Sequence, residues 1–317
     1  MKIFLVVFVI FMVMLSSCSK SSDVKEDVNN SLNTPANNPP NKNIVITSFG
    51  DATLYRPEVI PAEGVPVILV APGWGSQNHL DYETLLSFIA KQGYLTIYVK
   101  SPAEYNTKTS IERYLSVLED ASVVEMIDKN QLGIVGHSSG GGIVFKLMDY
   151  FSKAGYGANG RFIFSMDPWF AFDMGKSELA KLPQNTHVVI QQYANHSSTD
   201  PRIALSIFDA ISTLGYENID YQVYKDLGHG YPMGSADFSQ KQIVLKPLDA
   251  LIQYTFDNKE DAHKIALELG SDTPYENNYQ PIGETSQYGF KCYGEGEALV
   301  SALRAYDLDY CAIESKF

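Results

Sequence analysis

Ser138 stands in Gly136-His137-Ser138-Ser139-Gly140, a serine with a glycine two residues to either side, the G-x-S-x-G spacing. A short apolar run at 132–135 precedes it, and Ile143, Val144, Phe145, Leu147 and Met148 follow. The serine therefore falls where a buried strand turns into a helix. So sharp a turn strains the serine backbone, and the flanking glycines let neighbouring main chain come close. The hydroxyl is held out at a helix N-terminus, where developing negative charge is favoured. Ser138 is thus a candidate nucleophile, and a nucleophilic serine needs a general base whose pKa lies near the working pH. Of the six histidines, His79, His137, His187, His196, His229 and His263, the base is read as His229. It lies in Asp226-Leu227-Gly228-His229-Gly230, a glycine-flanked loop just past the last strand, from which an imidazole can reach Ser138. His137, beside the serine, is expected to point away from the site. A third residue must accept a hydrogen bond from the far nitrogen of His229. Asp167, which ends a strand in Asp167-Pro168-Trp169, and Asp200, just before Pro201, are both open as that acid, with Asp167 ahead. The backbone N–H of Ser139 is one candidate donor to an oxyanion.

Strands and helices alternate along the chain that carries these residues. Strands are predicted at 44–49 and 52–55, and then at 67–70, which runs into Ala71-Pro72-Gly73-Trp74-Gly75. Further strands follow at 94–99, 132–135, 162–166, 188–193 and 219–224, with helices over 81–92, 110–127, 139–151, 201–214 and 240–256. Fully apolar strands separated by helices predict an α/β fold, a doubly wound, mostly parallel sheet with helices on both faces. Ligands in such sheets bind beyond the C-terminal ends of the strands, and every motif above falls at such an end. The 317 residues are 45% hydrophobic and 19% charged, a globular composition. A net charge of −13 argues against nucleic acid as a partner, because a phosphate backbone needs a basic surface. There is no H-E-x-x-H, cysteine cluster or P-loop, so no metal and no cofactor is expected.

The order strand–PGWG–helix, strand–GHSSG–helix, strand–DPW and a late DLGHG resembles the α/β-hydrolase family over residues 44–256. Within it the chain is most similar to the branch of dienelactone hydrolases, platelet-activating-factor acetylhydrolases and cutinase-like polyester hydrolases. The resemblance implies esterase-type acyl transfer with the chain order nucleophile, acid, histidine. It also implies Trp74 as the second oxyanion donor through its backbone N–H, beside Ser139. A tryptophan matching Trp169 lines the acyl-binding cleft in the polyester-hydrolase branch, so Trp74 and Trp169 are candidate substrate-binding residues. Most of the family carries its acid after the next strand, which suits Asp200, whereas the acetylhydrolases use an Asp-x-Trp setting like that of Asp167. The expected activity is hydrolysis of a small-molecule or polymer ester through an acyl-enzyme. An amide or thioester hydrolase with the same triad, and a retired scaffold that only binds, are the alternatives.

Residues 1–17 read as an export signal, with Lys2 before an apolar run too short to span a bilayer comfortably. Leu15-Ser16-Ser17-Cys18 resembles a bacterial lipoprotein signal, which implies lipidation of Cys18 and anchoring to a cell-envelope membrane. Residues 18–43 are poor in apolar side chains and read as a disordered tether, leading to a hydrolase-like domain at 44–257. Residues 258–317 read as an appendage packed on that domain, in which Cys292 and Cys311 are candidates for a disulfide. A monomer is favoured.

Overall fold

Runs of Val, Ile, Leu and Phe form the strands of one eight-stranded sheet in the computed structural model, which describes residues 43–102, 106–193, 199, 201–224, 227–236 and 241–269. These residues belong to one unit, Pro35–Phe317. The export-signal residues, Cys18, the tether before Asn43, Asp200, Cys292 and Cys311 lie outside the described residues.

The first two strands, β1 (Ile44–Phe49) and β2 (Ala52–Pro57), form an antiparallel hairpin. Then come β3 (Val65–Ala71), β4 (Leu95–Val99), β5 (Ile127–His137), β6 (Gly160–Met166), β7 (Thr186–Tyr193) and β8 (Ile219–Tyr224). The order across the sheet is β1-β2-β4-β3-β5-β6-β7-β8. Strand β2 pairs antiparallel with β4, and every pair from β4 to β8 is parallel. Parallel pairing puts the C-terminal ends of β3, β5, β6, β7 and β8 along one edge of the sheet, the edge at which the candidate residues fall.

Helices cover both faces, as a doubly wound sheet requires. In chain order they are α1 (Glu83–Gln92), α2 (Thr107–Leu118), α3 (Ala121–Val124) and α4 (Ser139–Lys153). Next come α5 (Lys176–Leu179), α6 (Pro201–Ala210), α7 (Gln242–Asp257) and α8 (His263–Leu267). Helices α1, α7 and α8 pack with Ile68, Tyr98, Val135, Phe164 and Val189 in one apolar core. Helices α2 to α6 pack with Leu69, Ile97, Ile134, Ile163 and Ile190 in the other. Alternate residues of each strand thus feed opposite cores. No described helix is long and apolar enough to cross a membrane.

Two elements differ from the sequence reading. The helix expected over 110–127 is broken: α2 ends at Leu118, and Asp120 opens α3 by accepting a hydrogen bond from Ser122 N–H at 2.9 Å. Ile127 is already strand, paired with Val65, so β5 has 11 residues and spans a register shift between Pro66 and Val67. The helix expected over 201–214 closes at Ala210 and tightens into a 3₁₀ turn at Ser212–Leu214. After α7, Ala262, Ala266 and Leu267 are buried in the core beneath α7.

Candidate active site

Ser138 lies at the tip of β5 with φ 58° and ψ −123°, and α4 begins at the next residue. Four described non-glycine residues have positive φ, and two of them are Ser138 and Asp167. Such backbone conformations cost on the order of 1–3 kcal/mol each and persist only where the surroundings over-determine them. Here they do. Ser138 N–H donates to the Met166 carbonyl at 2.9 Å, and Trp169 N–H donates to the Ser138 carbonyl at 2.8 Å. A β-carbon on Gly136 would overlap the Gly140 carbonyl, and one on Gly140 would overlap the carbonyls of Ala71 and Pro72. Both glycines of the motif are therefore set by close approach of main chain.

Asp167 follows the last residue of β6, the neighbour of β5, and is fully buried. Its N–H donates to Gln191 O at 2.6 Å, which carries the chain across to β7. The side chain has partners on both oxygens. Oδ1 accepts from Tyr193 N–H at 3.1 Å and from the Gln192 side-chain amide, and Oδ2 meets His229 Nδ1 at 2.5 Å. A carboxylate oxygen accepts, so Nδ1 carries the proton and Nε2 of a neutral His229 is left as an acceptor.

His229 comes from the connection after β8, two strands away from β6, so its loop folds back over the end of β7. Four side chains or amides hold that loop down. Lys241 Nζ donates to Met233 O at 2.7 Å and to Tyr231 O, and Gly234 N–H donates to Asp81 O at 2.6 Å. Thr84 Oγ1 donates to Ala236 O at 2.6 Å, and His137 Nε2 bonds the His229 carbonyl itself at 2.8 Å. The His229 side chain remains 21% exposed. Among the described residues no hydrogen bond joins it to the Ser138 hydroxyl. In ligand-free sites such contacts are often long and tighten only when substrate arrives.

The turn after β3 brings the third component. Gly73 lies against the serine, since a β-carbon there would be 3.3 Å from Ser138 Cβ. Gly73 N–H donates to Tyr82 Oη at 3.0 Å, Gly75 N–H to Ser101 Oγ at 3.2 Å and Ser76 N–H to Gly73 O at 3.1 Å. The N–H of Trp74 has no such bond among the described residues, while its side chain is 70% exposed. Ser139 supplies the first N–H of α4, at the helix N-terminus beside Ser138. Trp169 is half-buried, edge-on to Phe170 with ring centroids 4.9 Å apart. The structure thus brings Asp167 and His229 together and sets the Trp74 turn beside Ser138. Asp200 lies outside the described residues.

One expectation is corrected. His137 does not point away: it is 1% exposed, with its ring centroid 4.6 Å from that of His229. Its Nδ1 meets Tyr82 Oη at 2.8 Å. Alternation along β5 is the signal that finds it, because His137 shares a face with Val135, which packs towards α1. Tyr82 and Gln192 are further site neighbours that carry no motif of their own. Among the described residues no group of three or more His, Cys, Asp or Glu side chains is arranged to hold a metal ion.

Burial also leaves a mark on stability. The His137 pKa is lowered to about 3 by burial and by His229 nearby. That of His187 is lowered to about 4 by burial and by His263. In the unfolded chain both protonate near 6.5. Below that pH the unfolded chain binds more protons, so the stability contributed is complete above ~6.5 and is lost as pH falls towards the folded values. Each group steepens the dependence by at most ~1.4 kcal/mol per pH unit. Urea midpoints should therefore fall between about pH 6.5 and pH 5, above most carboxylate titration, and His187→Gln should flatten the fall. A level profile over that window would contradict neutral burial of these rings.

No model of a known protein family matches the chain, and no curated protein matches it significantly.

Proposed function

We propose that this chain is a serine hydrolase of the α/β-hydrolase type that cleaves carboxylic esters through Ser138, His229 and Asp167. The observation that carries the reading is the 2.5 Å contact between Asp167 Oδ2 and His229 Nδ1, made by residues from two strand ends beside a strained Ser138. His229 Nε2 takes the Ser138 proton as Oγ attacks the ester carbonyl. The N–H groups of Trp74 and Ser139 receive the negative charge on the carbonyl oxygen, each worth on the order of 3 kcal/mol in the transition state. The imidazolium, steadied by Asp167, then gives its proton to the leaving alcohol, and the acyl group stays on Oγ. Water, deprotonated by His229, repeats the attack, frees the acid and restores the serine.

Trp74, exposed at the rim, and Trp169, whose N–H bonds the Ser138 carbonyl, are assigned to substrate binding. An aromatic face at the mouth suits an apolar acyl or aryl group. The test is covalent. A fluorophosphonate probe should label the chain with one-to-one stoichiometry and map to the peptide containing Ser138, with hydrolysis of p-nitrophenyl acetate lost in step. A folded chain that takes up no probe and turns over no ester would leave the fold as a binding scaffold.

A further inference from the structure

We propose that Tyr82 and His137 are positioning residues that hold the His229 main chain in register with the Gly73–Trp74 turn; this rests on the esterase reading above. Three hydrogen bonds carry it, the first two buried and the last part-buried: Gly73 N–H to Tyr82 Oη at 3.0 Å, Tyr82 Oη with His137 Nδ1 at 2.8 Å, and His137 Nε2 with His229 O at 2.8 Å.

The direction of every proton follows from the partners. A backbone carbonyl only accepts, so His137 Nε2 must carry a proton. The ring is 1% exposed, and burial holds it neutral, so Nδ1 is bare and accepts from the Tyr82 hydroxyl. Tyr82 is fully buried, and burial raises its pKa far enough that the phenol keeps its proton. Its oxygen in turn accepts from Gly73 N–H. One unbroken chain, donor to acceptor in a single sense, thus runs from the turn beside Ser138 to the backbone of His229. Bonds ordered this way polarise one another in a dry interior.

The other ties on the histidine loop act further along it, at Tyr231, Met233, Gly234 and Ala236. Asp167 grips the imidazole at Nδ1, but a ring held at one atom can still pivot with its own backbone. The bond to His229 O removes that freedom, and the His137 ring, tilted 40° against the His229 ring at 4.6 Å, closes the space behind it. Tyr82 extends the hold to Gly73, whose neighbour Trp74 presents the oxyanion N–H. The base and one oxyanion donor are therefore fixed relative to each other through two side chains that touch no substrate.

The experiment compares His137→Asn, His137→Gln and Tyr82→Phe in the full chain, with kcat and KM for p-nitrophenyl acetate and the thermal midpoint measured for each. Asparagine reaches only the Nδ1 position and leaves His229 O without its donor; glutamine can carry an amide N–H to the Nε2 position. His137→Asn should lower kcat by ~10–100-fold at a KM within ~3-fold, the scale on which a misplacement of about 1 Å acts. His137→Gln should recover most of the loss, which a role in packing alone would not do. Tyr82→Phe should lower kcat by ~10-fold, and its effect should not multiply with that of His137→Asn, because both cut one chain. If His137→Asn fails to fold, Tyr82→Phe decides alone. Wild-type kcat in a folded His137→Asn or Tyr82→Phe variant overturns the proposal, as does a glutamine variant no better than the asparagine one. An unaltered chain without turnover or probe labelling overturns the esterase reading instead, and this proposal with it.

Discussion

Ser138→Ala should leave a folded chain whose kcat on p-nitrophenyl acetate is lower by ~10⁶-fold, the scale seen when a triad serine is removed elsewhere. The attacking atom is gone, and neither water nor the remaining residues can form the covalent intermediate. Some acceleration over water should survive, through the N–H groups of Trp74 and Ser139 proposed as oxyanion donors. Stability should scarcely change, since alanine suffers the same φ of 58° as serine. Ser138→Gly makes the opposite point. Glycine adopts positive φ freely, so that variant should be as inactive as the alanine one yet more stable, by up to about 1 kcal/mol less its extra unfolded-state entropy. The pair separates chemistry from strain: the conformation that presents the hydroxyl is held against its own preference by Met166 and Trp169, which bond the Ser138 backbone on both sides. Turnover persisting at the wild-type rate in either variant would remove Ser138 from the mechanism.

What could be read in the chain, and what could not, follows from the range of the forces involved. Strands β3, β4, β6 and β7 are buried on both faces, and a continuous apolar run announces that without any knowledge of partners. The elbow is legible for the same reason: glycines at 136 and 140 answer to contacts a few residues away and to the adjacent strand. The break at Glu119–Asp120 is harder, because Ala121, Val123 and Val124 sustain helical spacing and only the cap at Asp120 and the pairing of Ile127 with Val65 end it. The choice between Asp167 and Asp200 depends on how far the loop after β8 folds back. That is set by Lys241, Thr84, Asp81 and His137, which lie up to 153 residues (Asp81 to Gly234) apart in sequence from the atoms they bond. No local spacing encodes it. Tyr82 is in the same position: nothing in its neighbourhood of the sequence distinguishes a core tyrosine from one that bridges Gly73 to His137.

Asp167→Asn is the sharper test of the acid, because the geometry specifies how the amide must lie. Oδ1 of Asp167 accepts from Tyr193 N–H and from the Gln192 amide, two donors that an asparagine oxygen can still satisfy. The asparagine Nδ2 then faces His229 Nδ1, where Oδ2 now sits at 2.5 Å. A donor opposite Nδ1 forces that nitrogen to accept, which moves the imidazole proton to Nε2, the atom that has to take the proton of Ser138. The wrong tautomer is thereby the favoured one, and kcat should fall by ~10⁴-fold with KM little changed, the effect of the same substitution in serine proteases. Asp167→Ala should instead cost stability as well, since it strands two buried donors at about 1–3 kcal/mol each. Asp200→Asn, in the same assay, should stay within ~3-fold of the unaltered chain, the outcome that follows from Asp167 being the acid. The reverse ranking, with Asp200→Asn inactive and Asp167→Asn competent, would transfer the acid to the loop after β7. The buried, three-donor carboxylate at 167 would then be a clamp for the end of β6 and nothing more.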